Sequence, residues 1–406
     1  MEIIRFFLAI TVVSLISWVF LLFARGEFWK VNSELDSTSE NSTGSFPSIR
    51  AIIPARNERE VLPKTLPTVL NQDYPGDFDV ILVDDQSTDG TGEIGRRIAR
   101  ETESRADLEV VEPPPTPDGW AGKVWALHNG FQRVKEDDPD LIWLTDADIA
   151  HETVTLKRLT NKLTAEELGM ASIMADLRTE SFWEKTLIPN FIYFFKMLFP
   201  FNWVNHPEKD TAAAAGGCIL LRKSVLERAG GFESLSGAVI DDCSLARNLR
   251  DAGETGLWLG QSHLAKSVRE YGGLRGIWNM VSRSAFSQLN HSTILLLGTV
   301  LGMALLFLVP PIAVFFGLTE LFANGSAANG GTSIALTSLG GSTWIVMAGS
   351  FLPILNWYGL SPIYGLISPL SGLLYTLMTL ESGLSWWRGK GGEWKGRTFS
   401  TRKGGR

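Results

Sequence analysis

The 406-residue chain is poor in cysteine and histidine, and its body carries no block of positive charge. Two cysteines, Cys218 and Cys243, cannot form a disulfide scaffold or a Cys-based zinc finger. Five scattered histidines argue against a His-rich metal centre. From Trp386 onward there are seven cations and one anion, a net +6 within a total of −7, so the remainder stands at −13. An acidic body with a short basic tail is a poor nucleic-acid binder, because counterion release needs cations clustered where phosphates lie. Such a tail suits an anionic membrane face better. A composition of 45% hydrophobic and 20% charged residues excludes fibrous and disordered classes, and the length allows two or three domains.

What the chain does have is long apolar runs at both ends. Phe6 to Ala24 carries no charge and reaches the roughly 20 residues a membrane-crossing helix needs. A signal peptide has a shorter apolar core and a small-residue cleavage site, so an uncleaved anchor is expected. Arg5 precedes the run while Arg25 and Lys30 follow it, which predicts a cytoplasmic domain next. Near the other end lie Ile294–Leu318, Ile334–Leu355 and Leu360–Leu380, with Pro310, Pro311, Pro353, Pro362 and Pro369 implying kinked or broken helices. The Thr319–Ser333 link has no cation and reads as non-cytoplasmic. Three full crossings would leave the basic tail outside, against the positive-inside rule, so whether one of the last two runs is re-entrant stays open.

The expected organisation is an anchor (1–30), a linker (31–45), a cytoplasmic domain (46–292), a C-terminal region of two to three membrane helices (293–385) and a basic tail (386–406). The linker is polar and reads as structureless; its sequon Asn41-Ser42-Thr43 would be silent in the cytoplasm. Within the domain, β-branched runs at Ile49–Ile53, Val80–Val83, Leu108–Val111 and Leu141–Leu144 alternate with helical spacing at Val61–Leu70 and Thr91–Arg100. That alternation predicts an α/β fold with a parallel sheet covered by helices on both faces. Phe182–Val204 is aromatic and broken by Pro189 and Pro200; it reads as an amphipathic interfacial segment, with a buried helix as the other reading.

Ligands of open α/β sheets bind beyond the carboxyl ends of the strands, and three acidic pairs fall there. Val80–Val83 runs into Asp84-Asp85, Leu141–Leu144 into Thr145-Asp146-Ala147-Asp148, and Gly237–Ile240 into Asp241-Asp242. Helix capping would account for one acid in each pair, and Asp89 and Thr91 suit that duty. Two adjacent carboxylates repel, however, and capping needs only one. Asp146 and Asp148, separated by one small residue, can both lie near one Mg²⁺ or Mn²⁺ that bridges to diphosphate oxygens. A carboxyl beside another can have a raised pKa and serve as a general base, which suits Asp241-Asp242.

Taken in order, Ile52-Ile53-Pro54-Ala55-Arg56-Asn57-Glu58, Val83-Asp84-Asp85-Gln86-Ser87-Thr88-Asp89-Gly90-Thr91, Asp146-Ala147-Asp148 and Asp241-Asp242 resemble the motifs of family 2 glycosyltransferases. These have the GT-A fold, the Rossmann-like fold of nucleotide-diphospho-sugar transferases. Gly119-Trp120-Ala121-Gly122-Lys123-Val124-Trp125-Ala126-Leu127, the C-terminal apolar runs and Trp394-Lys395-Gly396-Arg397 are similar to the hopene-associated, lipid-modifying branch, akin to ceramide glucosyltransferases and carotenoid glycosyltransferases.

The resemblance implies an inverting transferase that moves a sugar from a nucleotide-sugar donor, by default a UDP-sugar, to a hydroxyl of a membrane lipid, with no nucleic-acid partner. It would be a multi-pass protein of the cell (inner) membrane. Pro54, Ala55, Arg56, Asn57, Glu58, Asp84 and Asp85 would hold the nucleoside and Lys123 the donor phosphates. Asp146 and Asp148, with Ala147 between them, would bind the sugar-nucleotide and a divalent cation, Mg or Mn. Asp242 would be the base, in a pair usually Glu-Asp and here Asp241-Asp242. Gly216-Gly217 would leave room for the acceptor.

The family's Gln-x-x-Arg-Trp stretch matches Met280-Val281-Ser282-Arg283-Ser284, where only Arg283 survives as a ligand for the leaving diphosphate, with Arg269 and Arg275 as competitors. A processive polysaccharide synthase and a non-catalytic membrane scaffold with a transferase-like domain are the alternatives.

Overall fold

The structure, a computed structural model, describes residues 2–35, 46–104, 106–324, 330–389, 393–394 and 397–398. The sequon Asn41-Ser42-Thr43 and most of the basic tail lie outside the described residues. The chain divides into a helical unit (Met1–Val31, Thr179–Pro200, Tyr271–Gly391) and an α/β unit (Asn32–Arg178, Phe201–Glu270, Gly392–Arg406). Residues 179–200 and 271–292, which the sequence reading kept in the soluble domain, belong to the helical unit.

The α/β unit is built on eight strands: β1 (Ile49–Ala55), β2 (Phe78–Asp84), β3 (Leu108–Val111), β4 (Leu141–Thr145), β5 (Ile149–His151), β6 (Met170–Asp176), β7 (Cys218–Arg222) and β8 (Leu257–Ser267). They lie in the order β3-β2-β1-β4-β7-β6-β8-β5. The first four are mutually parallel, and helices Leu62–Leu70, Thr91–Glu101 and Gly122–Val134 lie between them in sequence. The all-parallel expectation fails beyond that point. Strand β7 runs antiparallel to both β4 and β6, and β5 runs antiparallel to β8. Along each central strand alternate residues enter opposite faces: Leu141 and Trp143 join one core with Leu66 and Leu159, while Ile142 and Leu144 join another with Phe131 and Leu249.

The connection from β4 to β5 sets the shape of the sheet. The two strands are four places apart in the order, about 19 Å if the sheet were flat. Yet only Asp146-Ala147-Asp148 joins them, and such a link reaches at most about 14 Å. The sheet therefore curls until its last strand returns beside β4, closing around the D-A-D turn. The start of the linker is also ordered, against the sequence reading: Leu35 N donates to Gln261 O (3.2 Å) and Gln261 N to Ser33 O (2.7 Å), so residues 33–35 pair along β8.

In the helical unit, Glu2–Ala24, Thr293–Ala323 and Gly330–Trp357 are long and apolar enough to cross a membrane. Their exposed side chains include Phe6, Phe20, Leu301, Phe322 and Ile345, a surface that suits lipid rather than water. The third C-terminal run is interrupted, as Ile363–Leu366 and Ser368–Trp387. Pro310 and Pro311 cost less than an isolated helix would suggest. A π turn at Ala304–Leu308 precedes them, and Ser14 Oγ and Trp18 Nε1 donate to the carbonyls of Leu305 (2.8 Å) and Leu306 (3.0 Å), which Pro310 and Pro311, lacking N–H groups, cannot satisfy in the i→i−5 register.

Helix Phe182–Leu198 starts on a Ser181/Glu184 capping box and buries Leu187, Ile188, Ile192 and Tyr193 almost completely within the helical unit. Here the buried-helix reading replaces the interfacial one.

Candidate active site

The carboxyl ends of β1, β2 and β4 open on one edge of the sheet, and the amino end of antiparallel β7 joins them, with Thr145 in register opposite Cys218. Gly216 and Gly217 therefore arrive beside Asp146. The loop after β1 is zipped to the loop after β2. Asn57 Oδ1 accepts the Thr88 N–H (2.9 Å), Asn57 N donates to Ser87 Oγ (2.9 Å), and Glu58 N donates to Thr91 Oγ1 (2.9 Å). Arg56 donates to the Asp85 carbonyl (2.6 Å), with its guanidinium 3.5 Å from the Asp85 carboxylate.

Asp84 turns out to be a structural cap. Its two oxygens accept Ser87 N–H (3.1 Å) and Gly92 N–H (2.9 Å), and a Cβ at Gly92 would fall 2.6 Å from one of them. Asp89 also caps, accepting Thr91 N–H at 3.0 Å. Gly92→Ala is expected to destabilise the α/β unit by about 1–3 kcal/mol, the range for overpacking, read by thermal melting.

An open pocket lies at this edge, lined in part by Pro54, Lys123, Thr145, Asp146, Gly216, Asp241 and Asp242. Lys123 stands in the first turn of helix Gly122–Val134, whose entry is fixed by Ala121 N donating to Ser236 O (2.6 Å). Its ammonium bridges Asp146 (2.8 Å) and Asp241 (3.0 Å). Asp242 is in the first turn of helix Asp241–Asp251, where its oxygens accept Gly216 N–H (2.8 Å) and Cys243 N–H (2.7 Å). On the far side of the D-A-D turn, Arg269 Nε meets Asp148 at 2.5 Å and its Nη2 lies 3.5 Å from Glu58. Arg269 lies two residues past the end of β8. Arg283, by contrast, is on helix Leu274–Gln288 of the helical unit and is not among the residues that the α/β unit assembles.

The electrostatics follow from burial of three carboxylates around one ammonium. Burial pushes the Asp242 carboxyl up, and neighbouring Asp241 pushes it further, to about 6, although Lys123 and two backbone N–H groups pull the other way. Burial also raises Asp146; Lys123 opposes this, while Asp148 and Asp241 add to it. Burial alone would push the Lys123 ammonium down, but Asp146 and Asp241 outweigh it and hold it above its ordinary value.

The donor set of Asp146 and Asp148 is oxygen-only, which suits Mg²⁺ or Mn²⁺. Each carboxylate already faces a cationic side chain, Lys123 or Arg269, so this pocket is built to accept positive charge. Among the described residues no group of three or more His, Cys, Asp or Glu is arranged around one metal position. A cation here would therefore take its remaining ligands from substrate oxygens and water.

Gly216 is the tightest point. A Cβ there would lie 3.2 Å from Asp242 Oδ2 and 3.3 Å from Lys123 Nζ. Gly217 is less constrained on the Asp242 side; its Cβ would meet Ile149 at 3.3 Å. Gly216→Ala is expected to lower turnover about 10-fold by shifting Asp242 a few tenths of an ångström, read by steady-state kinetics at unchanged melting temperature.

Residues 51–230 match the family model described as Glycosyl transferase family 2. This chain contains a family 2 glycosyltransferase domain. The relatives it resembles include "Probable glycosyltransferase YdaM" of Bacillus subtilis (28% identity over 213 residues, 51% of this chain and 48% of that one). A beta-monoglucosyldiacylglycerol synthase of a Nostoc species is 28% identical over 145 residues, 35% of this chain and 29% of that one. An undecaprenyl-phosphate mannosyltransferase of Micrococcus luteus is 35% identical over 124 residues, 30% of this chain and 47% of that one. The chain thus spans about half or less of these relatives' lengths. Among solved structures, a mannosyltransferase from Pyrobaculum calidifontis in complex with GDP-Man and Mn2+ shares the fold, with a TM-score of 0.51 at 18% identity, covering 94% of this chain and 99% of that one. The glycosyltransferase domain therefore has the GT-A architecture, and the curled mixed sheet is its signature here.

The Thr145–His151 pair went unnoticed in the sequence. His151 stands three residues past Asp148, and its Nε2 lies 2.8 Å from Thr145 Oγ1.

Proposed function

We propose that the protein transfers a sugar from a nucleoside-diphosphate donor to a hydroxyl of a membrane lipid in a single displacement that inverts the anomeric carbon. The observation that carries this reading is the convergence of Lys123, Asp146, Asp241 and Asp242 on one cavity, with the Asp242 carboxyl raised to about 6. A carboxylate with that affinity accepts a proton from an acceptor hydroxyl better than an ordinary aspartate and is still ionised at pH 7. Asp242 is the base, held by Gly216 N–H and Cys243 N–H. Lys123 and Arg269 answer the negative charge that develops on the departing diphosphate. Asp146 and Asp148 would hold a divalent cation, Mg²⁺ or Mn²⁺, which when bound supplies further stabilisation of that charge. The β1 and β2 loops, with Pro54 to Glu58 and Asp85, form the nucleoside side, and Asp84 holds their shape.

The lipid acceptor is supported by the three membrane-length helices of the same chain and by lipid-named relatives, a glucosyldiacylglycerol synthase and an undecaprenyl-phosphate mannosyltransferase. The covalent links between the two units keep the transferase domain at the bilayer. On the positive-inside reading that bilayer is the inner membrane, with the domain on its cytoplasmic side.

The test is to incubate the full chain in lipid nanodiscs with radiolabelled nucleotide-sugars and total membrane lipid. One labelled lipid species is expected, lost with EDTA and restored by Mn²⁺ or Mg²⁺. A ladder of products, or no labelled lipid from any donor, overturns the reading.

A further inference from the structure

The D-A-D turn is held from both sides by hydroxyl groups, of which those of Thr65 and Thr145 belong to buried residues. On one side helix Leu62–Leu70 supplies Thr65, whose Oγ1 donates to the Ala147 carbonyl (2.6 Å), and Thr68, whose Oγ1 accepts the His151 N–H (3.0 Å). On the other side stands the His151 ring, 5% exposed and edge-on to Trp143 at 4.7 Å. Its Nε2 lies 2.8 Å from Thr145 Oγ1, and Thr145 Oγ1 donates to the Gly217 carbonyl at 2.9 Å.

A hydroxyl has one proton. Since Thr145 gives its proton to Gly217, it must accept one from His151, which fixes the imidazole as the Nε2–H tautomer. The Nδ1 lone pair is buried with no hydrogen-bond partner. Such an unsatisfied buried group costs stability and calls for an explanation.

We propose that His151 is a positioning residue for the transfer reaction: the relay His151 Nε2–H to Thr145 Oγ–H to Gly217 C=O sets the spacing between the donor carboxylate Asp146 and the base Asp242. Asp146 is bonded directly to Thr145, and Gly216, next to Gly217, gives Asp242 its N–H at 2.8 Å. The relay therefore ties the donor half of the site to the acceptor half through three residues; Thr145 also lines the pocket, whereas the buried His151 ring stands behind it. It rests on the reading of Asp242 as the base, but the hydrogen bonding can be measured without any transfer assay.

The test combines structure and kinetics on the full chain in nanodiscs. The ¹³Cδ2 and ¹⁵N shifts of His151 should report a neutral Nε2–H ring throughout pH 5–8. Burial pushes this imidazole down to about 3, consistent with that form. In His151→Leu and Thr145→Val, hydrogen–deuterium exchange of residues 214–218 should rise to a similar extent. Transfer kcat should fall about 10- to 100-fold with donor KM changed less than threefold, and the double variant should be no worse than the weaker single, as expected for one shared relay. Thr145→Ser, which keeps the hydroxyl, should restore most of the rate. An Nδ1–H tautomer, or unchanged exchange at 214–218 in both single variants, overturns the relay whether or not transfer is detected. Normal exchange with no transfer from the native chain would instead count against the glycosyl-transfer reading alone.

Discussion

Asp242→Asn is expected to lower lipid glycosylation by about 10²–10⁴-fold, the range over which a positioned general base contributes, while raising the stability of the folded chain. The two effects share a cause. In the native chain the rate should climb with pH through about 6 and level off above 7, because only the ionised carboxylate can take the acceptor proton. For stability the sign runs the other way. The folded-state pKa is raised above the unfolded value near 3.9, so the folded chain holds a proton that the unfolded chain has released between about pH 4 and 6. The stabilising contribution is complete below that window and lost as pH rises through it. At pH 7 the native chain therefore keeps an unfavourable buried charge, and the Asn variant escapes it by roughly 1–3 kcal/mol. The check is a pH–rate profile alongside melts at pH 4.5 and 7.5. A variant that turns over normally, or a melting temperature unaffected at both pH values, would place the base elsewhere.

Lys123→Met should have an effect of the opposite kind on stability and a comparable one on rate. Removing the ammonium leaves Asp146 and Asp241 facing each other across the gap that it now fills at 2.8 and 3.0 Å. Breaking a buried ion pair costs on the order of 3–5 kcal/mol, and less here because the side chains keep 20–32% exposure. A melting-temperature drop of several degrees is expected. Loss of one preorganised charge partner for the leaving diphosphate should cost about 10²–10³-fold in turnover. Nucleoside-diphosphate affinity should also fall, which separates this variant from Asp242→Asn, where it should hold. Lys123→Arg, which keeps the charge but not the shape, should recover stability before it recovers rate.

Much of this was legible in the residues. The strand runs at Val80 and Leu141 are buried on both faces, so they read as continuous apolar stretches ending abruptly in acids. That is enough to place Asp85, Asp146 and Asp148 at one edge of a sheet. Order and spacing of short motifs supplied the family, and membrane-length runs without charge supplied the anchor.

Duties within the site were less legible, because they depend on what stands opposite. Asp84 and Asp85 are adjacent and chemically identical, yet one caps a helix through Gly92 and the other is buried against Arg56. Arg283 and Arg269 were comparable candidates on paper. The chain folds so that Arg269 leaves β8 beside Asp148, while Arg283 joins another unit.

Taken alone, the sequence determined the fold class, the acidic residues of the cleft and the presence of membrane-length helices, since these rest on local periodicity and composition. Only the tertiary structure decided that the sheet is mixed and curled, that helix Phe182–Leu198 is buried, and that Lys123 stands between Asp146 and Asp241. Those outcomes rest on contacts between residues far apart in the chain. A three-residue link that draws the last strand back to β4 is a constraint of distance, which no local pattern encodes.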